Sequence, residues 1–200
     1  MKPLSHKLLW ILLSGFLNTS AFTQETASKP VVRFSTENEL GILAGMGHKL
    51  DDGYPGSSSE LVFELSSTNG IQCGRFFAGI GVGVRKWDDD FLLPLFLHAS
   101  YDLWKSKNVL FLHADIGNQF GNRQMNAFGN KETGNFYAAY GLGYYFSVAE
   151  RTKLYLKASV CHQRAEALGP YTGLGPSTYQ ERYNLNYLLF RFSVGVKFTK

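Results

Sequence analysis

Two short runs carry the residue types that could do chemistry. His98-Ala99-Ser100 sets an imidazole two positions from a hydroxyl, and residues two apart on a β-strand point to the same side. There the imidazole could take the seryl proton and make Oγ a nucleophile toward an acyl group, with Asp102 or Asp115 orienting the ring. His113-Ala114-Asp115 repeats the spacing with a carboxylate in place of the hydroxyl. His98, Asp102, His113 and Asp115 together offer a donor set that could hold a metal across neighbouring strands. The bland alternative for both runs is a set of hydrogen-bonded polar residues, and a motif without its structural context is weak. The expectation is therefore no catalytic group, no metal and no cofactor.

Which reading holds depends on the strands that carry these residues. The last stretch, Leu185 to Phe198, sets the pattern: Phe190, Phe192, Val194, Val196 and Phe198 share one parity, while Arg191, Ser193, Gly195 and Lys197 share the other. Alternation of this kind marks a strand. One face suits hydrocarbon and the other, with its two cations, suits a polar interior, as in a membrane barrel. The same alternation recurs in Glu39 to His48, Ser59 to Ser67, Ile71 to Lys86, Phe91 to Trp104, Val109 to Phe120, Gly134 to Phe146 and Thr152 to Arg164. Gly79, Gly81 and Gly83 lie inside this pattern and open no helix, so they are strand residues and not a phosphate loop. Thr68-Asn69-Gly70 predicts a hairpin turn, and Pro94 predicts a bulge or irregularity.

The connections alternate in kind. Lys49 to Ser58, Gly121 to Thr133 and Ala165 to Asn184 read as long polar loops, whereas the connections after the second, fourth and sixth strands are short. Only Trp87 to Asp90 is shorter than this rule expects. The expected architecture is an all-β, transmembrane, eight-stranded antiparallel up-and-down β-barrel, with short periplasmic turns, longer outer loops and both mature termini in the periplasm.

Composition agrees. The 200 residues hold 21 glycines, 11 tyrosines and 16 phenylalanines, which suits a glycine-kinked, aromatic-girdled sheet. A mean hydropathy of -0.13 excludes a bundle of membrane helices, but alternating strands can still cross. Lys2 and Lys7, the apolar Leu8 to Leu17 and the small Thr19-Ser20-Ala21 read as a cleaved signal peptide over residues 1–23, followed by a linker over 24–36 and the barrel over 37–200. The formal net charge of +4 comes with no Lys/Arg cluster, so a nucleic-acid partner is not expected. Cys73 and Cys161 fall at opposite ends of the barrel, too far apart to bridge, and read as small lumen-lining residues.

The runs Phe77-Ala78-Gly79-Ile80-Gly81-Val82-Gly83, Leu93-Pro94-Leu95-Phe96-Leu97, Tyr140-Gly141-Leu142-Gly143-Tyr144-Tyr145 and Gly195-Val196-Lys197-Phe198 resemble the outer membrane protein beta-barrel family, the small OmpA- or OmpX-like barrels of Gram-negative bacteria. The resemblance implies an outer-membrane location, contact with outer-membrane lipid and lipopolysaccharide, and reading of the terminal aromatic, here Phe198, by the barrel assembly machinery. Thr199 and Lys200 follow that residue, so the signal is displaced. The His98-x-Ser100 spacing is also similar to that of lipid A deacylases, although their pair faces lipid while these two residues fall on the lumen parity.

Eight strands enclose an interior just wide enough for side chains to fill. The charged residues on the lumen parity, Glu39, Glu64, Arg75, Arg85, Asp102, His113, Asp115, Lys157, Arg191 and Lys197, are expected to form a salt-bridged plug, because an unpaired charge in such a space is costly. Glu60 and Lys153 share that parity. The function expected is a non-enzymatic outer-membrane barrel with a structural or surface-interaction role carried by its loops. The alternatives are a lipid-modifying enzyme using His98 and Ser100, a narrow porin-like channel, and a soluble lipocalin-like barrel with its apolar faces inward.

Overall fold

Strands with one apolar and one polar face can satisfy both only if the sheet closes, because an open edge would leave backbone groups unpaired in hydrocarbon. The chain does close. The computed structural model describes residues 31–50, 55–56, 61–87, 90–104, 106–124, 131–170 and 180–200. Eight long strands run through them: β1 (Val32–Leu50), β2 (Leu61–Cys73), β3 (Phe76–Trp87), β4 (Asp90–Asp102), β5 (Val109–Phe120), β6 (Lys131–Ala149), β7 (Thr152–Pro170) and β8 (Gln180–Thr199). Each pairs antiparallel with its neighbour in the chain, and β8 returns to β1 with Leu40 opposite Val194 and Ala44 opposite Phe190. Two short pieces, Pro55–Gly56 and Asn122–Gln124, lengthen the ladders of β1 and β6. The expected signal peptide, residues 24–30 of the linker, Glu60, Asp88, Asp89 and the tips of the longer connections lie outside the described residues.

The two faces separate as the alternation demands. Phe63, Leu65, Ile80, Leu97 and Phe192 point outward with half or more of their surface exposed, and Val194 is 48% exposed. An apolar belt this extensive is far larger than a soluble monomer carries. It fits hydrocarbon, and the inward faces are charged, so the apolar-inside arrangement of a lipocalin-like barrel does not apply.

Several local expectations need correction. β1 starts at Val32, inside the expected linker, because backbone pairing with β2 and β8 continues where the outward residues, Thr36 and Asn38, are too polar to show the alternation. Asn69-Gly70 is not a turn: β2 runs on to Cys73, with Ser35 opposite Gly70 and Gly79 on the other side. A Cβ on Gly70 would strike the backbone at Ala78 and Gly79, so this glycine permits close strand approach. The hairpin turns instead at Gly74, whose φ of 60° suits glycine. Pro94 produces no bulge. Val82↔Leu95 and Arg85↔Leu92 keep one register, and the ladder merely lapses between them, where proline has no N–H to give. The loops expected at 165–184 and 121–133 begin as strand extensions. Asn122–Gln124 and Gln180–Arg182 are polar at every position and Ala165–Pro170 is mostly small residues, so apolar alternation could not reveal a ladder held by backbone hydrogen bonds.

Candidate functional site

The lumen gathers nearly all the chemistry of the described residues, in three layers. At the inner end, beside the short turns, Phe111 stacks on Tyr145 with centroids 4.1 Å apart, and Tyr155 meets Tyr145 edge-on at 5.7 Å. The glycines opposite explain themselves here: a Cβ on Gly143 would enter the Phe111 ring, and one on Gly195 the Tyr155 ring. Lumen-facing glycine and aromatic residues on adjacent strands thus share one volume.

The middle layer is ionic. Arg191, 1% exposed, donates from Nη1 to Glu64 Oε1 at 3.2 Å, from Nη2 to Asp115 Oδ2 and from Nε to Ser159 Oγ at 3.2 Å. Arg85 pairs with the other oxygen of Glu64, donates from Nη1 to Gln119 Oε1 at 2.6 Å and to Gln163 Oε1 at 3.2 Å, and lies over the Tyr137 ring. Lys157 Nζ bridges Glu39 at 2.7 Å and Glu37 at 3.2 Å. Lys197 meets Glu37 at 3.1 Å, and the hydroxyl of Tyr145 donates to the same carboxylate at 2.7 Å. His98 Nδ1 lies 2.5 Å from Asp115 Oδ1. Four carboxylates (Glu37, Glu39, Glu64, Asp115) thus face four permanent cations (Arg85, Lys157, Arg191, Lys197), and every one of the eight long strands contributes a member. Charges removed from water are tolerated only when paired and hydrogen-bonded in this way.

The outer layer is apolar: Leu43, Val62, Trp87, Leu92, Phe96, Tyr137, Leu185, Tyr187 and Leu189 pack together across the barrel. Trp87, expected in a turn, ends β3 facing inward and meets Tyr187 edge-on at 5.3 Å.

Of the charged residues expected in the plug, Glu39, Glu64, Arg85, Asp115, Lys157, Arg191 and Lys197 enter it. His113 is in the same layer without a hydrogen-bond partner for either ring nitrogen. Arg75 does not enter. It occupies the β2–β3 turn, where it donates to the Leu103 carbonyl at 3.2 Å and covers Tyr101. Asp102 stands half-buried at the inner mouth, away from His98 and His113, beside Arg33, Lys153 and Lys197 in a polar basin of about 300 Å³. Cys161 is a buried lumen residue, but Cys73 ends β2 on the outward parity beside the turn, and both are free thiols. The residues missed by sequence are Glu37, which lies between the expected linker and the first expected strand, His98 as a network member, and the amides Gln119 and Gln163. Lumen parity was the available signal for the last three.

His98 and Ser100 are both buried on the lumen side. Phe198 faces outward near the end of β8, opposite Thr36 and Thr152.

No protein-family model matches the chain, and no curated protein matches it in sequence. Solved structures match it in shape. Neisserial surface protein A (NspA) superposes with a TM-score of 0.53 at 13% identity, over 82% of this chain and 96% of that one. OprG from Pseudomonas aeruginosa gives 0.53 at 11% identity, over 86% and 97%. AlkL, solved in lipid bilayers, gives 0.50 at 12% identity, over 90% and 95%. At these identities the likeness is one of fold.

Proposed function

We propose that this chain, which has the fold of the small eight-stranded outer-membrane barrels, is an integral outer-membrane protein with a lumen closed by its own side chains and a structural or surface-interaction role. One observation carries this reading: the ionic layer, with His98 and the Tyr145 hydroxyl bonded into it, draws on all eight long strands and balances its permanent charges internally. A channel needs unpaired polar groups along an open path, whereas these charges are spent on one another. The partners this reading implies are outer-membrane lipid and lipopolysaccharide on the apolar belt, and the barrel assembly machinery at Phe198. Recognition of other molecules falls to the longer connections, since a rigid scaffold leaves that task to its loops.

The competing reading, lipid modification by His98 and Ser100, has both side chains sealed inside the lumen against it. Fractionation with mass spectrometry of lipid A tests both. The proposed role predicts recovery in the outer-membrane fraction, heat-modifiable gel migration and an unchanged lipid A profile on Ser100→Ala. Recovery in the soluble periplasm would sink the membrane role, and an acyl chain retained only in the Ser100→Ala strain would establish the enzyme.

A further inference from the structure

Among the buried polar atoms of the ionic layer that lack a hydrogen-bond partner, which include Arg85 Nη2, Gln119 Nε2 and Gln163 Nε2, three are ring nitrogens of two histidines. His98 Nδ1 faces Asp115 Oδ1 at 2.5 Å. A carboxylate only accepts, so Nδ1 carries a hydrogen, and in the neutral ring Nε2 holds a lone pair. That lone pair has no hydrogen-bond donor and looks toward a second acceptor, Glu37 Oε2, at 3.6 Å. His113 is 4% exposed, and neither of its ring nitrogens has a partner. The two imidazoles lie 21° from parallel with centroids 6.1 Å apart. His98, His113 and Asp115 each offer a ligand atom, all within 4.8 Å of one another.

A proton on His98 would reconcile Nε2 with Glu37 but would leave His113 as it stands. Neutral, His113 has an unused donor and an unused acceptor; protonated, it has two unused donors. A metal ion between the rings uses a lone pair from each. We propose that His98, through Nε2, and His113 bind one late first-row transition metal ion of the kind imidazole favours, zinc or copper, with carboxylate charge supplied by Asp115 and Glu37. Asp115, bonded to Nδ1 of His98, fixes that ring's tautomer and orientation, the part a carboxylate plays behind a metal-bound histidine. Ligand atoms around a tetrahedral ion lie about 3.4 Å apart, given bonds of about 2.0 to 2.1 Å. His113 can close the gap because it holds no hydrogen bond that a ring movement would break. The nearby cations Lys157 and Arg191 are already engaged with Glu37, Glu39, Glu64 and Asp115, which sets the site against hard, highly charged ions. The rings sit between Phe77 and Phe111, so the ion must be taken up before the lumen closes.

The test uses the full chain without an affinity tag, carrying His162→Ala to remove the lipid-facing imidazole. It is refolded in detergent with Zn²⁺ or Cu²⁺ present, washed with chelator and analysed by plasma mass spectrometry. One equivalent of metal per folded barrel is expected, with coupling to two nitrogens in the copper electron paramagnetic resonance spectrum. His113→Gln, which disturbs no hydrogen bond, should fold with unchanged heat-modifiable migration and lose at least ten-fold in retained metal; His98→Gln should do the same if it folds. A folded barrel that retains no metal overturns the proposal, as does metal retained at one equivalent in His113→Gln.

Discussion

The middle and outer layers of the lumen occupy the same kind of position, inward-facing residues of the same strands, yet they close the barrel by different means. The outer layer, from Leu43 to Trp87 and Leu189, is held by shape and apolar contact. The middle layer is held by reciprocal charge, and each acid there is needed by more than one cation or donor: Glu64 serves Arg85 and Arg191, and Glu37 serves Lys157, Lys197 and Tyr145. Apolar packing tolerates exchange of similar volumes, whereas a shared charge cannot be removed from one partner without stranding another. The contrast predicts unequal responses to substitutions of similar size.

The largest expected effect is in the middle layer. Arg191→Leu leaves Glu64 and Asp115 short of a cation and should cost about 3 to 5 kcal/mol in urea unfolding from vesicles. A loss under 1 kcal/mol would mean that the layer does not depend on pairing. Val194→Arg, on the lipid face beside the same strand's Arg191, should cost about 2 to 4 kcal/mol; normal assembly and stability would contradict the assignment of the two faces. Tyr145→Phe removes a donor to the Glu37 carboxylate and should cost about 1.5 to 3 kcal/mol, measured in the same way. In the outer layer Leu189→Met, a volume-conserving exchange, should cost less than about 1.5 kcal/mol. If Leu189→Met proved as costly as Arg191→Leu, the two layers would not differ in kind.

Much of this was legible in the sequence because a membrane barrel imposes a strict period. The parity of Phe190 and Phe192 against Arg191 and Ser193 separated lipid from lumen, and the same rule assigned His98, Ser100, His113 and Asp115 to the interior. It failed where the outward face is polar. Thr36 and Asn38 hide the start of β1 and with it Glu37, and the polar extensions of β6 and β8 and the small-residue extension of β7 carry no apolar alternation. Asn69-Gly70 read as a turn because its local preference is strong, but pairing with β1 and β3 outweighs it. Strand parity puts Arg75 in the lumen, but it lies in a turn, where that parity does not apply. The partner of each charge was not legible at all: strand stagger brings Lys197 to Glu37 and Arg191 to Asp115, residues far apart in sequence. The interior charges were readable as a set, and their pairing only in three dimensions.

The measurement that tests the closed lumen most directly is conductance of the purified barrel in a planar lipid bilayer. A lumen closed by its own side chains gives no steady openings for the wild-type chain, and openings for the double variant Arg191→Ala with Arg85→Ala, which removes the two guanidinium groups at the centre of the layer. Steady ohmic conductance through the wild-type barrel, unchanged by that double variant, would contradict it.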